Sequence, residues 1–167
     1  MLTISVHHPQ VRDFIKIKKD LTRVTGANIS VRVTDEFMNA VKSGEQVELR
    51  WPVDSENPKV SVMDDASDIW HQIIEGAHGS AEPGVLFWDT AKSMTPSDIY
   101  SSEGFESVST NPCGEIILSP YDSCRLMLLN LTSFVKEPFT PNASLDFSKL
   151  AKVAGKAQRL MDDMIDL

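Results

Sequence analysis

"ANISVRVTDEFMNAV", Ala27 to Val41, joins a β-branched run directly to a helix signal. Ala27 to Val33 reads as a strand. Thr34 is then placed to cap a helix, with Asp35 and Glu36 in its first turn, where carboxylates favour the positive end of the helix dipole. Gly44 stops that helix. A strand passing straight into a capped helix is the repeating unit of an α/β fold, and the rest of the chain can be read outward from it.

Upstream, Leu2 to Val6 is a first strand. Pro9 stands where a first helical position tolerates it, and Val11, Phe14, Ile15 and Lys18 give a helical face. Lys18 to Gly26 breaks that period and reads as a loop. Downstream, "EQVELRW" is a third strand, and Pro52 to about Asp64 reads as a loop rich in Pro, Asp and Ser. "DASDIWHQIIEGAHG" predicts a helix stopped by Gly76 and Gly79, and Gly84 to Asp89 a short buried strand. The apolar run "SCRLMLLNLTSFV" (Ser123 to Val135) predicts a strand buried on both faces. Phe147, Leu150, Ala154, Ala157, Met161 and Met164 recur at helical spacing, so an amphipathic helix begins near Asp146. The first residues are already strand-like and the last helix lacks a stop signal, so both ends read as cut from something longer.

The 167 residues, 41% hydrophobic and 24% charged, suit one soluble domain with its own core. No apolar run approaches the roughly 20 residues that a membrane helix needs. A net charge of −8 argues against a nucleic-acid partner. Arg12, Lys16, Lys18, Lys19 and Arg23 form a local basic run that charge alone assigns to a solvated helix face. Two cysteines and no secretion signal indicate a reducing, cytoplasmic setting. No metal site is expected: the chain has no CxxC and no HExxH, and His7 and His8 read as structural.

The chemistry concentrates in "STNPCGEI", Ser109 to Ile116. In an extended backbone Asn111, Cys113 and Glu115 point to one side. Pro112 biases Asn111 toward that conformation, and Gly114 leaves room for a ligand. An amide, a thiol and a carboxylate would then face one small molecule; the competing reading is a turn beside an inert cysteine. From Ser93 to Cys124 there is no Lys, Arg or His, while Asp98, Glu103, Glu106, Glu115 and Asp122 are present. Such surroundings do not favour a thiolate nucleophile. No GxSxG and no neighbouring histidine support a hydrolase either.

"STNPCGEIILSPYDSC" (Ser109 to Cys124) resembles the finger-loop motif of ribonucleotide reductase catalytic subunits, in the form of the adenosylcobalamin-dependent class II enzymes. "TGANISVRVTDEFMNAV", "SAEPGVLFWDT" and "AQRLMDDMIDL" are similar to the same family, in the expected order. The resemblance implies a ten-stranded α/β barrel of two parallel half-barrels with a central finger loop, of which residues 1–167 would be a partial catalytic barrel domain. It implies that Cys113 is the thiyl radical residue, that Glu115 is the general base for the ribose 3′-hydroxyl, and that Asn111 binds the sugar. Cys124, eleven residues after Cys113, would be one member of the reducing dithiol pair, whose partner is not in this chain. Lys18 to Gly26 resembles the loop that links a deoxynucleotide effector to base choice, with Lys19 and Arg23 as candidates.

The implied cofactor is adenosylcobalamin. The implied partners are a ribonucleotide, a deoxynucleotide effector, a thioredoxin-like or dithiol reductant, and a second copy in a homodimer, with no membrane and no nucleic acid. The isolated chain is expected to be inactive. Two alternatives stay open: a di-metal class I large subunit, and a noncatalytic or split-gene piece acting as an assembly partner.

Overall fold

Thr34 does what its position dictates. In the computed structural model, which describes residues 1–20 and 22–166, its Oγ1 accepts from the Phe37 amide at 3.1 Å. Strand β2 (Ile29–Val33) thereby passes without a loop into helix α2 (Asp35–Ser43). Such a cap is worth about 1 kcal/mol. Gly44 closes the helix in the left-handed region, at φ 70°.

The chain divides into two units, Met1–Ser123 and Cys124–Leu167. In the first, β1 (Leu2–Ser5), β2 and β5 (Gly84–Phe87) form a parallel sheet in the order β1-β2-β5. Helix α1 (Val11–Lys16) lies between β1 and β2 in the chain, and its turn is carried on by a 3₁₀ stretch, Ile17–Lys19. Helices α2 and α3 (Ala66–Ser80) lie between β2 and β5. One face of the sheet carries Ile4, Val31, Val33 and Val85 into a core shared with Val11, Ile15, Phe37, Ile69 and Ile73 from the helices. Each fully buried side chain of this kind contributes about 1.5–3 kcal/mol relative to exposure. The opposite face carries Thr3, Ser5, Ser30, Arg32, Gly84 and Leu86, which the register brings side by side. It is small and polar at its centre. A Cβ on Gly84 would lie 2.7 Å from Ser30 Oγ, so nothing larger fits there.

The α/β reading holds, with corrections to individual elements. The third strand, β3 (Gln46–Trp51), does not join the parallel sheet but pairs antiparallel with β4 (Val60–Asp65). The supposed loop from Pro52 to Asp64 therefore ends in a strand. Pro9 precedes the helix rather than opening it; α1 starts at Val11. Helix α3 runs through Gly76 and Gly79 to Ser80. Gly76 serves close packing instead of termination, since a Cβ there would meet Glu82 O and Pro83 Cδ at 3.1 Å. Helix α4 (Trp88–Met94) and a 3₁₀ stretch, Pro96–Glu103, follow β5.

The basic run is solvated at Lys16, Lys19 and Arg23, but not at Arg12 and Lys18. Arg12 binds Asp64 through Nε at 2.7 Å and Nη2 at 2.8 Å, and also pairs with Asp68, so it ties α1 to β4 and α3. Lys18 pairs with Glu82. His7 is structural, as expected, buried between Glu48 O at 3.0 Å and Thr34 Oγ1 at 2.8 Å.

The second unit holds a 3₁₀ turn (Leu131–Phe134), a short ladder of β8 (Val135–Lys136) with β9 (Ser144–Leu145), and helix α5 (Phe147–Asp163) capped by Asp146. The cap accepts from the Lys149 amide at 2.9 Å. The doubly buried strand expected over Ser123 to Val135 is not formed. No described strand pairs with residues 123–130, and Leu126 and Leu128 are 71% and 86% exposed. Asn130 ends the run by turning its Oδ1 to the Thr132 amide at 3.1 Å. Among the described residues, no helix is long and apolar enough to cross a membrane.

Candidate active site

Asn111, Pro112, Cys113 and Gly114 build a turn, not an extended strand. The Gly114 amide donates to Asn111 O at 3.0 Å, and the turn sits at the tip of a hairpin of β6 (Ser109–Thr110) and β7 (Ile117–Leu118). Asparagine first, proline second and glycine fourth are residues that such turns favour. Gly114 has φ 84°, a left-handed conformation that side chains resist. This overturns the extended geometry expected for Asn111, Cys113 and Glu115, although the three remain within one tip.

Asn111 is 6% exposed and faces inward. Its Oδ1 accepts from the Ile116 amide at 3.0 Å, while its own amide donates to Ile116 O at 3.1 Å. Cys113 and Glu115 are exposed, on either side of Gly114, and Cys113 is a free thiol. Cys124 is also free and belongs to the second unit.

The hairpin rests on the polar face of the sheet through all three strands. Thr3 Oγ1 lies 3.4 Å from Ser109 Oγ, and Arg32 Nη1 donates to Val108 O at 3.1 Å. Leu86 Cδ2 lies 3.5 Å from where a Gly114 Cβ would stand. Arg32 also lies over the Trp88 ring, 5.0 Å from its centroid. Burial pulls its guanidinium below the ordinary value, and its Nε is buried without a hydrogen-bond partner. Residues 98–108 form a strap before the hairpin, closed by Asp98, which accepts from the amide and hydroxyl of Ser107 at 2.8 Å each. Those bonds, that of the amide first, hold the Asp98 carboxyl below its usual range. Beside Arg32 lies a cavity of about 740 Å³ lined by Ser5, His7, Arg50, Trp88, Lys92 and other polar groups.

Lys19 and Arg23 lie far along the chain from this tip and are exposed. The Arg23 amide donates to Asp20 O at 3.0 Å, and Arg23 borders cavities of about 460 and 270 Å³. Sequence reasoning overlooked Arg32 and Glu82. Arg32 carried a signal, as the one charge in an otherwise apolar or hydroxylic strand. No group of His, Cys, Asp or Glu among the described residues is placed to hold a metal ion.

A parallel sheet covered by helices on one face, with a cysteine hairpin laid across the other, is an arrangement that one wall of an α/β barrel can present. Comparison with known proteins agrees. Residues 1–167 match the family model for the ribonucleotide reductase barrel domain. The chain is 34% identical over 164 residues to the vitamin B12-dependent ribonucleoside-diphosphate reductase of Thermoplasma acidophilum, covering 98% of this chain and 20% of that protein. It is 33% identical over 168 residues to the enzyme of the same name from Mycobacterium tuberculosis, covering 100% and 22%. A vitamin B12-dependent ribonucleotide reductase of Streptomyces clavuligerus is 30% identical over 185 residues, covering 97% and 18%. The chain belongs to the ribonucleotide reductase family, and it spans about a fifth of the length of the curated relatives it matches.

Proposed function

We propose that this chain supplies the hydrogen-abstracting hairpin of an adenosylcobalamin-dependent ribonucleoside-diphosphate reductase. The observation that carries the reading is the hairpin tip, where an exposed free thiol and an exposed carboxylate flank Gly114. The names of the similar proteins support both the cofactor and the diphosphate substrate.

The cofactor's chemistry is to furnish the radical that takes a hydrogen atom from a thiol. The described residues fit the receiving end of that chemistry, because Cys113 is accessible and unbonded. No corrin-holding residues are assigned to this chain. As a thiyl, Cys113 takes the hydrogen atom from C3′ of the ribose. Glu115 accepts the 3′-hydroxyl proton and gives it back to the 3′-oxygen when the resulting ketone is reduced, and the 2′-hydroxyl departs as water. A dithiol that includes Cys124 is oxidised to a disulfide, delivering two electrons and two hydrogens. One of these hydrogens replaces the lost 2′ group, and the other leaves in the water. Cys113 then returns its hydrogen atom to C3′, so the radical is conserved. Asn111 holds the turn through its Oδ1, and its side-chain Nδ2 is the donor proposed for the sugar hydroxyls. The second cysteine of the dithiol is not one of the two in this chain.

The remaining parts of the reading follow from it. Lys19 and Arg23 meet a deoxynucleotide effector, the complete enzyme is a homodimer, and a thioredoxin-like or small dithiol reductant regenerates the cysteine pair.

The test is made on the complete reductase with adenosylcobalamin and a dithiol. Cys113→Ser should lower deoxynucleotide formation by about 10⁴-fold while nucleotide affinity stays within about twofold. Cys124→Ser should stop multiple turnover. Turnover by Cys113→Ser would end the radical assignment. A requirement for a separate radical-generating subunit would end the cofactor assignment.

A further inference from the structure

Glu82 lies between the end of α3 and β5, and its two carboxylate oxygens go to opposite ends of one loop. Oε1 accepts from the amide of Ile29, the first residue of β2, at 3.0 Å. Oε2 pairs with Lys18 Nζ, in the 3₁₀ stretch that ends α1. The two side chains are only 16% and 18% exposed, so the pair is little screened by solvent. The glutamate itself is anchored, since Ser80 Oγ donates to Glu82 O at 3.2 Å and to Gly76 O at 3.1 Å. Burial pushes the carboxyl up, but the bonds from Lys18 and the Ile29 amide outweigh it, so the group is a carboxylate at neutral pH.

Between the two anchor points the loop has local order of its own. Asp20 Oδ1 accepts from the Thr22 amide at 3.0 Å and from its hydroxyl at 2.6 Å. The cavity of about 270 Å³ beside it is lined by Lys18, Arg23, Val24, Thr25, Ser80 and Glu82, so the pair forms part of its wall. Arg23 and Val24 thus share one cavity with the side chain that holds the start of β2. Three residues after Ile29, β2 carries Arg32, which grips the strap before the cysteine hairpin.

We propose that Glu82 is a specificity-determining positioning residue, which holds the loop's two ends in fixed relation to β2 and so transmits effector occupancy to base choice. The proposal rests on the reading of this loop as the effector-responsive one. Glu82 touches neither substrate nor the reacting atoms.

The experiment measures, for the complete reductase, the ratio of kcat/KM for two ribonucleotides with and without each of the four deoxynucleoside triphosphates. Wild type, Glu82→Gln, Glu82→Asp and Arg23→Ala are compared. The glutamine keeps an acceptor for Ile29 and loses the charge that holds Lys18. It should shrink the effector-induced change in the ratio by about tenfold, with effector-free kcat within about twofold of wild type. Glu82→Asp should recover part of the response. If Glu82→Gln keeps the full response while Arg23→Ala loses it, the positioning role is wrong and the loop reading stands. If neither variant alters the response, the loop reading fails and the inference with it. An equal loss of kcat for every substrate and effector would reduce Glu82 to a merely structural contact and overturn the proposal.

Discussion

Arg32 Nη1 donates to the carbonyl oxygen of Val108 at 3.1 Å, which joins the middle strand of the sheet to the residue that precedes the cysteine hairpin. The bond is charge-assisted, and the same guanidinium lies on Trp88. A hydrogen bond to a charged group is worth about 1.5–3 kcal/mol, and the ring contact adds about 0.5–2 kcal/mol.

Arg32→Met should therefore loosen the hairpin more than the domain. In the complete reductase the expected result is a fall in kcat of about 10²-fold with KM little changed, because small displacements of a reacting group are costly. Arg32→Lys should restore part of the loss. Equal activity of the methionine variant and wild type would show that the hairpin is positioned by other contacts.

Gly114→Ala separates backbone from packing. The new Cβ would meet Leu86 Cδ2 at 3.5 Å, an ordinary contact, so the cost comes from the left-handed backbone at φ 84°. That cost is about 1–2 kcal/mol. It falls on the tip carrying Cys113 and Glu115. Activity should drop while the thermal midpoint barely moves, and Gly114→Asn should be milder because asparagine tolerates this region. Matched losses of activity and thermal stability would show that the tip is coupled to the core.

Acid should weaken the fold through Asp64. Its hydrogen bonds with Arg12, reinforced by the Asp65 amide, outweigh the effect of burial and hold the carboxyl below its ordinary range. A carboxyl depressed in the folded state contributes stability that is complete above the unfolded value of about 3.9 and lost as pH falls through the folded value. Denaturant midpoints measured from about pH 7 down to pH 2 should fall steeply at the acid end. Asp64→Asn should lower the plateau and flatten that fall. An unchanged acid limb would place the titration in other carboxylates.

The helix α2 was legible in the sequence because Thr34 and Gly44 act locally, through one hydroxyl and one left-handed residue. Helix α5 was legible for the same reason at Asp146. Strand β4 was hidden by the Pro, Asp and Ser residues around it, although Val60 and Val62 alternate with Ser61. Helix α3 was cut short because a glycine selected for close approach looks, in one dimension, like a glycine selected to end a helix. The tip from Asn111 to Gly114 was misjudged as extended because proline's bias on its neighbour was weighed above the turn that Asn-Pro-Cys-Gly encodes. The residue types proposed to react there are visible in the sequence, but the contacts that hold the tip are not local. Thr3, Arg32 and Leu86 come from three strands, and only the register brings them under one hairpin.

The cysteine hairpin has a ladder of only two residue pairs, Ser109 with Leu118 and Thr110 with Ile117. So short a ladder has little free energy of its own, so its amides should exchange with solvent through local opening long before those of β2 do. The precision of the tip is therefore borrowed from the sheet beneath it. Drift that preserves the hairpin's own residues but alters that polar floor would shift the tip with Asn111, Cys113 and Glu115 all still present.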